Sequence, residues 1–162
     1  AGQPSDTAPP PEDLSAVQWT MGMPKVPFDR TPIGSKFGEV DVDVEASYQA
    51  GAATAAATFH AANPRNDQKL QQTYLTVEQE TSSGWTVVRS DGDWDTTFHW
   101  EAGPEDPLDA GISGVSKATV SWEIPSSAAA GKYRLCYFGN NKKITGKIGE
   151  FSGCSSQFEV KA

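Results

Sequence analysis

The sequence is short of the residues that build metal sites, nucleophilic sites and membrane segments. It has two cysteines and two histidines among its 162 residues, and neither H-E-x-x-H nor C-x-x-C occurs. The motifs G-x-x-x-x-G-K-[ST], G-x-G-x-x-G and G-x-S-x-G, which mark phosphate, dinucleotide and hydrolase sites, are also absent. No run approaches the ~20 apolar residues of a membrane helix. Basic residues number 13 against 21 acids, and the resulting net charge of −8 argues against nucleic acid as a partner.

The histidines and cysteines do not form a recognisable catalytic pattern. His60 and His99 each fall on the polar phase of a predicted strand, with no second histidine at ligand spacing. A site needs groups that converge, so both histidines are predicted to be structural or solvated. Cys136 has no histidine close in sequence and is not predicted to be a catalytic thiol.

Three aspartates share the first part of a calcium-loop pattern. Asp91, Asp93 and Asp95 have the 1, 3, 5 spacing of such a loop. Position 6, however, is Thr96 where glycine is needed, and position 12 is Ala102 where a bidentate Glu is needed. The preferred interpretation is a solvated acidic turn, with a calcium loop as the alternative.

Alternation of apolar and polar residues is the main structural signal. Val40, Val42 and Val44 alternate with acids, and residues 53–61 alternate alanine and phenylalanine with threonine and histidine. Such runs, separated by Gly, Ser, Asp and Pro, are typical of antiparallel strands. Residues 139–149 are predicted to form a long polar loop. Seven to nine short strands and no helix are predicted, the main strands covering residues 40–44, 53–61, 74–80, 85–89, 98–100, 117–124, 133–138 and 157–161.

The strand pattern predicts the fold class. It favours an all-β, antiparallel two-sheet sandwich of immunoglobulin-like or fibronectin type. Three of the five tryptophans fall in residues 74–100, and because large aromatic side chains dominate cores, much of the core is predicted there. Gly131-Lys132-Tyr133 partly matches the tyrosine corner of such sandwiches, in which the ring hydroxyl bonds to an upstream backbone group.

The first 36 residues differ in composition from the rest. They hold seven of the 11 prolines, and proline removes backbone donors and fixes φ. We therefore expect a Pro-rich irregular arm at residues 1–36 and the globular domain at residues 37–162. Apolar residues such as Leu14, Trp19 and Phe28 are too many for a solvated tail. Either the arm packs on its own domain, or it belongs to a neighbouring surface outside this chain.

The two cysteines are placed so that they could pair. Cys136 lies in the penultimate predicted strand and Cys154 just before the last one, and in a sandwich those strands are neighbours. A disulfide would contribute about 3 kcal/mol by the loop-entropy estimate and would fit an oxidising compartment. The alternative is two free, buried thiols.

A basic stretch interrupts the acidic chain. Lys132, Arg134, Lys142, Lys143 and Lys147 occur with no acid among them. One interpretation is a basic contact loop for an acidic partner surface or for anionic lipid headgroups. The other is a loop that only faces water.

Nine short motifs occur in an order and at spacings that resemble one family. They include D-G-D-W-D-T-x-F-x-W at residues 91–100, W-E-I-P at 122–125 and G-K-Y-R at 131–134. Over residues 28–160 the chain thereby resembles the C-terminal domain of the neutral/alkaline (non-lysosomal) ceramidases, and P-P-P-E-D-L at 9–14 looks like the connector from that family's catalytic domain. The remaining motifs are F-G-E-V at 37–40, Y-Q-A-G at 48–51, A-N-P-R-N-D at 62–67, T-Y-L-T-V-E at 73–78, Y-F-G at 137–139 and F-S-G at 151–153.

The resemblance implies an accessory role in a larger enzyme. These ceramidases are zinc-dependent amidohydrolases that cleave the N-acyl bond of ceramide to sphingosine and fatty acid. Their zinc ligands and catalytic groups belong to a large N-terminal domain outside this chain, so no catalytic residue and no cofactor is expected here. The family's C-terminal domain is immunoglobulin-like, and its members are typically secreted or held at the outer membrane surface. The pair Cys136 and Cys154 departs from the family pattern.

The implied function is a non-catalytic domain that packs on the ceramidase catalytic domain and aids contact with a membrane surface. The alternative is a stand-alone binding module of carbohydrate or calcium-dependent adhesion type, with exposed aromatics stacking on a sugar and the turn at Asp91 holding calcium. An enzyme in its own right has the least support, because no nucleophile, base or metal site converges.

Overall fold

The computed structural model describes residues 29–64, 74–102, 115–143 and 145–162. No helix long and apolar enough to cross a membrane was found in these ranges. Their regular elements are ten strands: β1 Val40–Val42, β2 Ser47–Gln49, β3 Thr54–Ala61, β4 Leu75–Thr81, β5 Gly84–Ser90, β6 Thr96–Ala102, β7 Ser116–Glu123, β8 Gly131–Lys142, β9 Ile148–Cys154 and β10 Phe158–Lys161.

The strands form two sheets. One has four strands in the order β1-β3-β7-β6, and the other has six, in the order β2-β10-β8-β4-β5 with β9 also paired to β8. The pairing is antiparallel throughout, except that β10 runs parallel to β2. The prediction of an all-β, two-sheet sandwich is confirmed, with this one parallel pair as a correction. The immunoglobulin-like topology stays a prediction.

The alanine-rich strand β3 shows why alternation outweighs helix propensity here. Ala55 and Ala57 on β3 pair with Trp122 and Val120 on β7, and all four are buried. The small side chains on β3 leave room for Trp122, the largest fully buried side chain in the described part of the protein. Because interiors are close-packed, this large-against-small pairing explains why alanine occupies the inward positions of a strand.

Aromatic side chains join the two sheets. Phe98 on β6 stacks on Tyr137 on β8, with 5.8 Å between ring centroids, and Tyr137 contacts Phe59 on β3 at 5.7 Å. Tyr133 donates its hydroxyl hydrogen to the Ala129 carbonyl at 2.5 Å, which is the upstream backbone bond that the tyrosine-corner interpretation expects.

Of the three tryptophans of residues 74–100 that were predicted to form much of the core, only Trp100 packs against it, and the stretch also supplies the core residues Leu75 and Val77. Trp94 is 82% exposed, and Trp85 and Trp100 are only half-buried. The reason is topological, since β5 and β6 are the edge strands of their sheets and an edge side chain has neighbours on fewer sides. The core tryptophan is Trp122, outside that stretch.

The predicted polar loop at residues 139–149 is instead a long hairpin. Strand β8 continues to Lys142, and β9 returns beside it in register from Lys142↔Ile148 to Cys136↔Cys154. Position 139, inside β8, requires glycine because a Cβ there would lie 2.6 Å from the Phe151 ring. Glycine and asparagine are depleted in strands, so this tertiary requirement makes the sequence resemble a loop.

Part of the predicted Pro-rich arm contacts the sandwich. The Asp29 carboxylate accepts hydrogen bonds from the backbone N–H groups of Asn63 and Lys142, at 3.1 and 2.7 Å, and Arg30 forms a bridge with Val115. The described part of the arm, residues 29–36, is thus attached to the sandwich at Asp29 and Arg30. Residues 1–28 lie outside the described residues.

Candidate functional site

The acidic turn between β5 and β6 is held by its own side chains. The Asp91 carboxylate accepts from the backbone N–H of Tyr74 at 2.9 Å, and Asp93 accepts from that of Ser90 at 2.8 Å. The Thr96 hydroxyl donates to the Ser90 carbonyl at 2.7 Å. These bonds satisfy backbone groups that a loop leaves open, so the two aspartates support the conformation of the turn.

The third aspartate of the calcium-like spacing is not solvated, which corrects the prediction. Asp95 is 2% exposed; its Oδ2 atom lies 3.0 Å from Arg89 Nε and 3.3 Å from the indole nitrogen of Trp122. It is a buried structural charge that fastens the acidic turn, which is the crossover from β5 to β6, to the core. Within residues 29–64, 74–102, 115–143 and 145–162, no group of three or more His, Cys, Asp or Glu side chains is placed to hold a metal ion.

The two histidines lie on different strands. His60 is buried on β3, 3.9 Å from the carboxylate of Asp41, whereas His99 is exposed on β6, and β7 separates them. Asp41 in turn lies 2.9 Å from the amine of Lys117. The hydrogen bond from Lys117 holds the pKa of Asp41 below its usual value. The structure does not bring these groups together with the acidic turn.

Cys136 and Cys154 are directly opposite each other on β8 and β9, and their sulfur atoms are bonded. The partner strand of Cys136 is β9, not the last strand, β10. The prediction missed β9 because its hairpin was predicted as a loop. Beyond the bond, the Ser155 N–H donates to the Leu135 carbonyl at 2.7 Å, and the Leu135 N–H donates to the Ser155 hydroxyl at 3.0 Å. Side-chain and backbone contacts therefore fasten this end of the hairpin.

The five basic residues predicted as one contact loop do not lie together. Lys142, Lys143 and Lys147 are at the tip of the β8–β9 hairpin, which the Lys143 N–H closes by donating to the Lys147 carbonyl at 2.8 Å. Lys132 and Arg134 are near the start of β8, roughly 25–35 Å away at the rise of an extended strand. The hairpin tip alone remains a candidate contact surface.

Arg134 is occupied by contacts within the domain. Its Nη2 and Nε atoms lie 2.7 and 2.9 Å from Glu78 Oε1, and its guanidinium lies 4.4 Å from the ring centre of Trp85. The second carboxylate oxygen of Glu78 accepts from the Thr76 hydroxyl at 2.9 Å. A charge engaged by a buried carboxylate and an aromatic face stabilises the sheet, and sequence reasoning missed this cluster because its members come from three strands.

Sequence reasoning also missed the exposed apolar side chains on β5 and in the turn that follows it. Trp94 projects from the acidic turn, and Val87 on β5 is 56% exposed. The signal that could have found Trp94 is its position between Asp93 and Asp95 in a turn motif, where it does not continue a strand. Two further large apolar side chains in the described part of the chain, Ile33 and Val42, are exposed elsewhere.

Comparison with known proteins gives one consistent result. The family model for "neutral/alkaline non-lysosomal ceramidase, C-terminal" matches residues 1–160. Neutral ceramidase of Oryza sativa subsp. japonica is 39% identical over 142 residues, which is 86% of this chain and 17% of that protein. Neutral ceramidase of Pseudomonas aeruginosa is 35% identical over 161 residues, 97% of this chain and 22% of that protein.

Solved structures agree with the sequence comparisons. The crystal structure of neutral ceramidase from Pseudomonas aeruginosa superposes with a TM-score of 0.75 at 35% identity, covering 86% of this chain and 21% of that one. A ceramidase complexed with C2 gives a TM-score of 0.74 at 34% identity, covering 96% and 23%. The chain therefore spans about a fifth of the length of the proteins it matches.

Proposed function

Because this chain belongs to the family of C-terminal domains of the neutral/alkaline non-lysosomal ceramidases, we propose that it is an accessory domain that packs on a ceramidase catalytic domain in the same polypeptide. The observation that carries the proposal is the extent of the match, which takes in residues 1–160 but only about a fifth of the relatives. In this proposal the rest of the enzyme hydrolyses the N-acyl bond of ceramide and binds zinc. The stand-alone carbohydrate or calcium-dependent adhesion module is not favoured, because the ceramidase match leaves almost none of the chain unexplained.

The described geometry suits a rigid accessory domain. The charged groups of the acidic turn and of the Arg134 cluster are engaged in structural contacts, as described above. At the N-terminal end of the described residues, Asp29 is bonded to the sandwich through Asn63 and Lys142.

A fluorescent-ceramide assay tests the proposal. We expect no hydrolysis by the isolated 162-residue chain, and hydrolysis by the full-length polypeptide that carries it. Removal of this domain from that polypeptide should lower its thermal midpoint and its yield of active enzyme. Hydrolysis by the isolated chain would overturn the proposal, as would a truncated enzyme with unchanged activity and stability.

The hairpin tip is the part of the domain proposed to meet an anionic membrane surface, outside the cell in keeping with the bonded cysteines. Lys143 and Lys147 are exposed there, and each lysine near an anionic leaflet contributes about 1 kcal/mol. The double variant K143Q/K147Q should therefore bind phosphatidylserine vesicles about 30-fold more weakly. The variant K132Q/K161Q removes the same charge from exposed positions away from the tip and should bind as the unchanged chain does. Equal losses in both variants would show that net charge, and not the tip, governs binding.

A further inference from the structure

The crossover between β5 and β6 presents one tryptophan to solvent on a firmly held turn. Three side chains, those of Asp91, Asp93 and Thr96, bond to its backbone and to the start of β4, and buried Asp95 fastens its end to the core. Trp94 lies between these anchors and is nevertheless 82% exposed. A large aromatic side chain on a fixed backbone loses little conformational freedom on binding, which is the property of interface hot spots.

The strands beside the crossover are also edge strands. β5 ends the six-stranded sheet and β6 ends the four-stranded sheet, so among residues 29–64, 74–102, 115–143 and 145–162 no further strand pairs with the outer edge of either. Natural edges are commonly protected by outward charges. The only charged side chain of β5, Arg89, pairs instead with buried Asp95, while Val87 is 56% exposed. This edge has the character of a surface that another structure covers.

The surroundings of Trp94 favour a protein surface as the occupant. Asp91 is exposed beside it and Asp93 is half-buried, and two aspartates would be repelled by an anionic leaflet. A central aromatic with a polar rim is the usual anatomy of a protein interface. The curated relatives are about five times as long as this chain, so the same polypeptide offers a large surface for it to cover.

We infer that Trp94 anchors this domain on the catalytic domain of its own polypeptide, with Asp91 and Asp93 at the rim. The inference rests on the proposed function and adds to it the face that docks. It also assigns a role to the D-G-D-W-D turn.

The test uses the full-length polypeptide with a specific protease site inserted after Pro11. After cleavage, mass photometry over a dilution series gives the dissociation constant between this domain and the rest. Trp94→Ala should raise that constant about 30-fold or more. The control I33A/V42A removes exposed apolar groups from residues outside β5, β6 and their crossover and should change it less than about threefold. In the isolated chain, Trp94→Ala should leave the thermal midpoint within about 2 °C, because the side chain is exposed.

The outcomes separate the two proposals. If the unchanged fragments part at every concentration, the packing proposed above fails and this inference fails with it. If they stay together and Trp94→Ala binds as tightly, packing stands and Trp94 is not its anchor. A loss confined to I33A/V42A would place the interface elsewhere, and a Trp94-dependent dimer of the isolated chain, or Trp94-dependent binding to vesicles, would replace the catalytic domain as the occupant.

Discussion

The buried pair Asp95 and Arg89 allows a quantitative test of how the crossover is held. Substituting Asp95 by alanine leaves the Trp122 indole N–H, 3.3 Å away, buried without an acceptor, which costs about 1–3 kcal/mol. The Arg89 side chain is 34% exposed and can turn to water, so the lost ion pair adds only about 0.5–1 kcal/mol. D95A should therefore lower the free energy of unfolding by about 1.5–4 kcal/mol.

Two further variants distinguish the hydrogen bond from the charge. D95N keeps an acceptor for Trp122 but loses the charge and puts an amide NH2 where the buried Oδ1 atom of Asp95 has no partner among the described residues, so it should cost about 1–3 kcal/mol. R89M leaves the carboxylate of Asp95 buried without its cation, and this should cost the most, about 3–5 kcal/mol. Because the double variant R89M/D95N removes both charges, it should cost less than the two single variants together, by at least about 1 kcal/mol.

Urea unfolding monitored by tryptophan fluorescence measures these free energies. E80Q, a neutralised acid at an exposed position of β4, is the control and should stay within about 0.5 kcal/mol of the unchanged chain. The reasoning is refuted if D95A costs less than about 1 kcal/mol, or if R89M costs no more than D95N. Either result would mean that Asp95 is hydrated in solution and does not fasten the crossover to the core.

Three further predictions test other parts of the fold. Denatured, unreduced protein should show no free thiol by mass, and C136S/C154S should lose about 3 kcal/mol in urea unfolding; two free thiols would contradict the bonded pair. Gly139→Ala should cost about 1–3 kcal/mol, because its Cβ would meet Phe151 and the Tyr137 hydroxyl, whereas Gly92→Ala, with open space around it, should be nearly neutral. The lowered pKa of Asp41 adds stability that is present above its ordinary pKa of 3.8 and is lost as the pH falls through the folded pKa. K117M should flatten this dependence of the free energy of unfolding on pH in acid titrations. An unchanged profile would exclude Lys117 as the cause.

The secondary structure followed from the sequence where alternation and turn residues agree. Residues 53–61 were predicted as a strand against the helix propensity of alanine, and β3 covers Thr54–Ala61. The prediction failed at Gly139, Asn140 and Asn141, which are poor strand formers but continue β8. Their place in the sheet depends on the Phe151 ring, which crosses Gly139 from the neighbouring strand, and no local pattern reports such a contact.

The candidate site was less predictable because its contacts join distant strands. The adjacency of Cys136 and Cys154 was inferred from strand neighbours, and the structure places them together through a strand that had not been predicted. The basic residues were grouped because they are close in sequence, but a 12-residue strand carries Arg134 far from Lys143. Trp94 was assigned to the core by residue type, although its flanking aspartates define a turn whose side chain faces outward.

The two proposed contact surfaces lie on different elements of the domain, the β5–β6 crossover and the β8–β9 hairpin, which makes their roles separable. Trp94 belongs to the turn after β5, whereas Lys143 and Lys147 close the β8–β9 hairpin. A catalytic domain anchored at Trp94 and an anionic surface at the hairpin tip would therefore contact different residues. Because the two sets of residues share none of the contacts described above, their effects should be additive: Trp94→Ala should leave vesicle binding unchanged and K143Q/K147Q should leave docking unchanged. Coupling between the two variants would mean that one partner covers both the β5 edge and the hairpin tip.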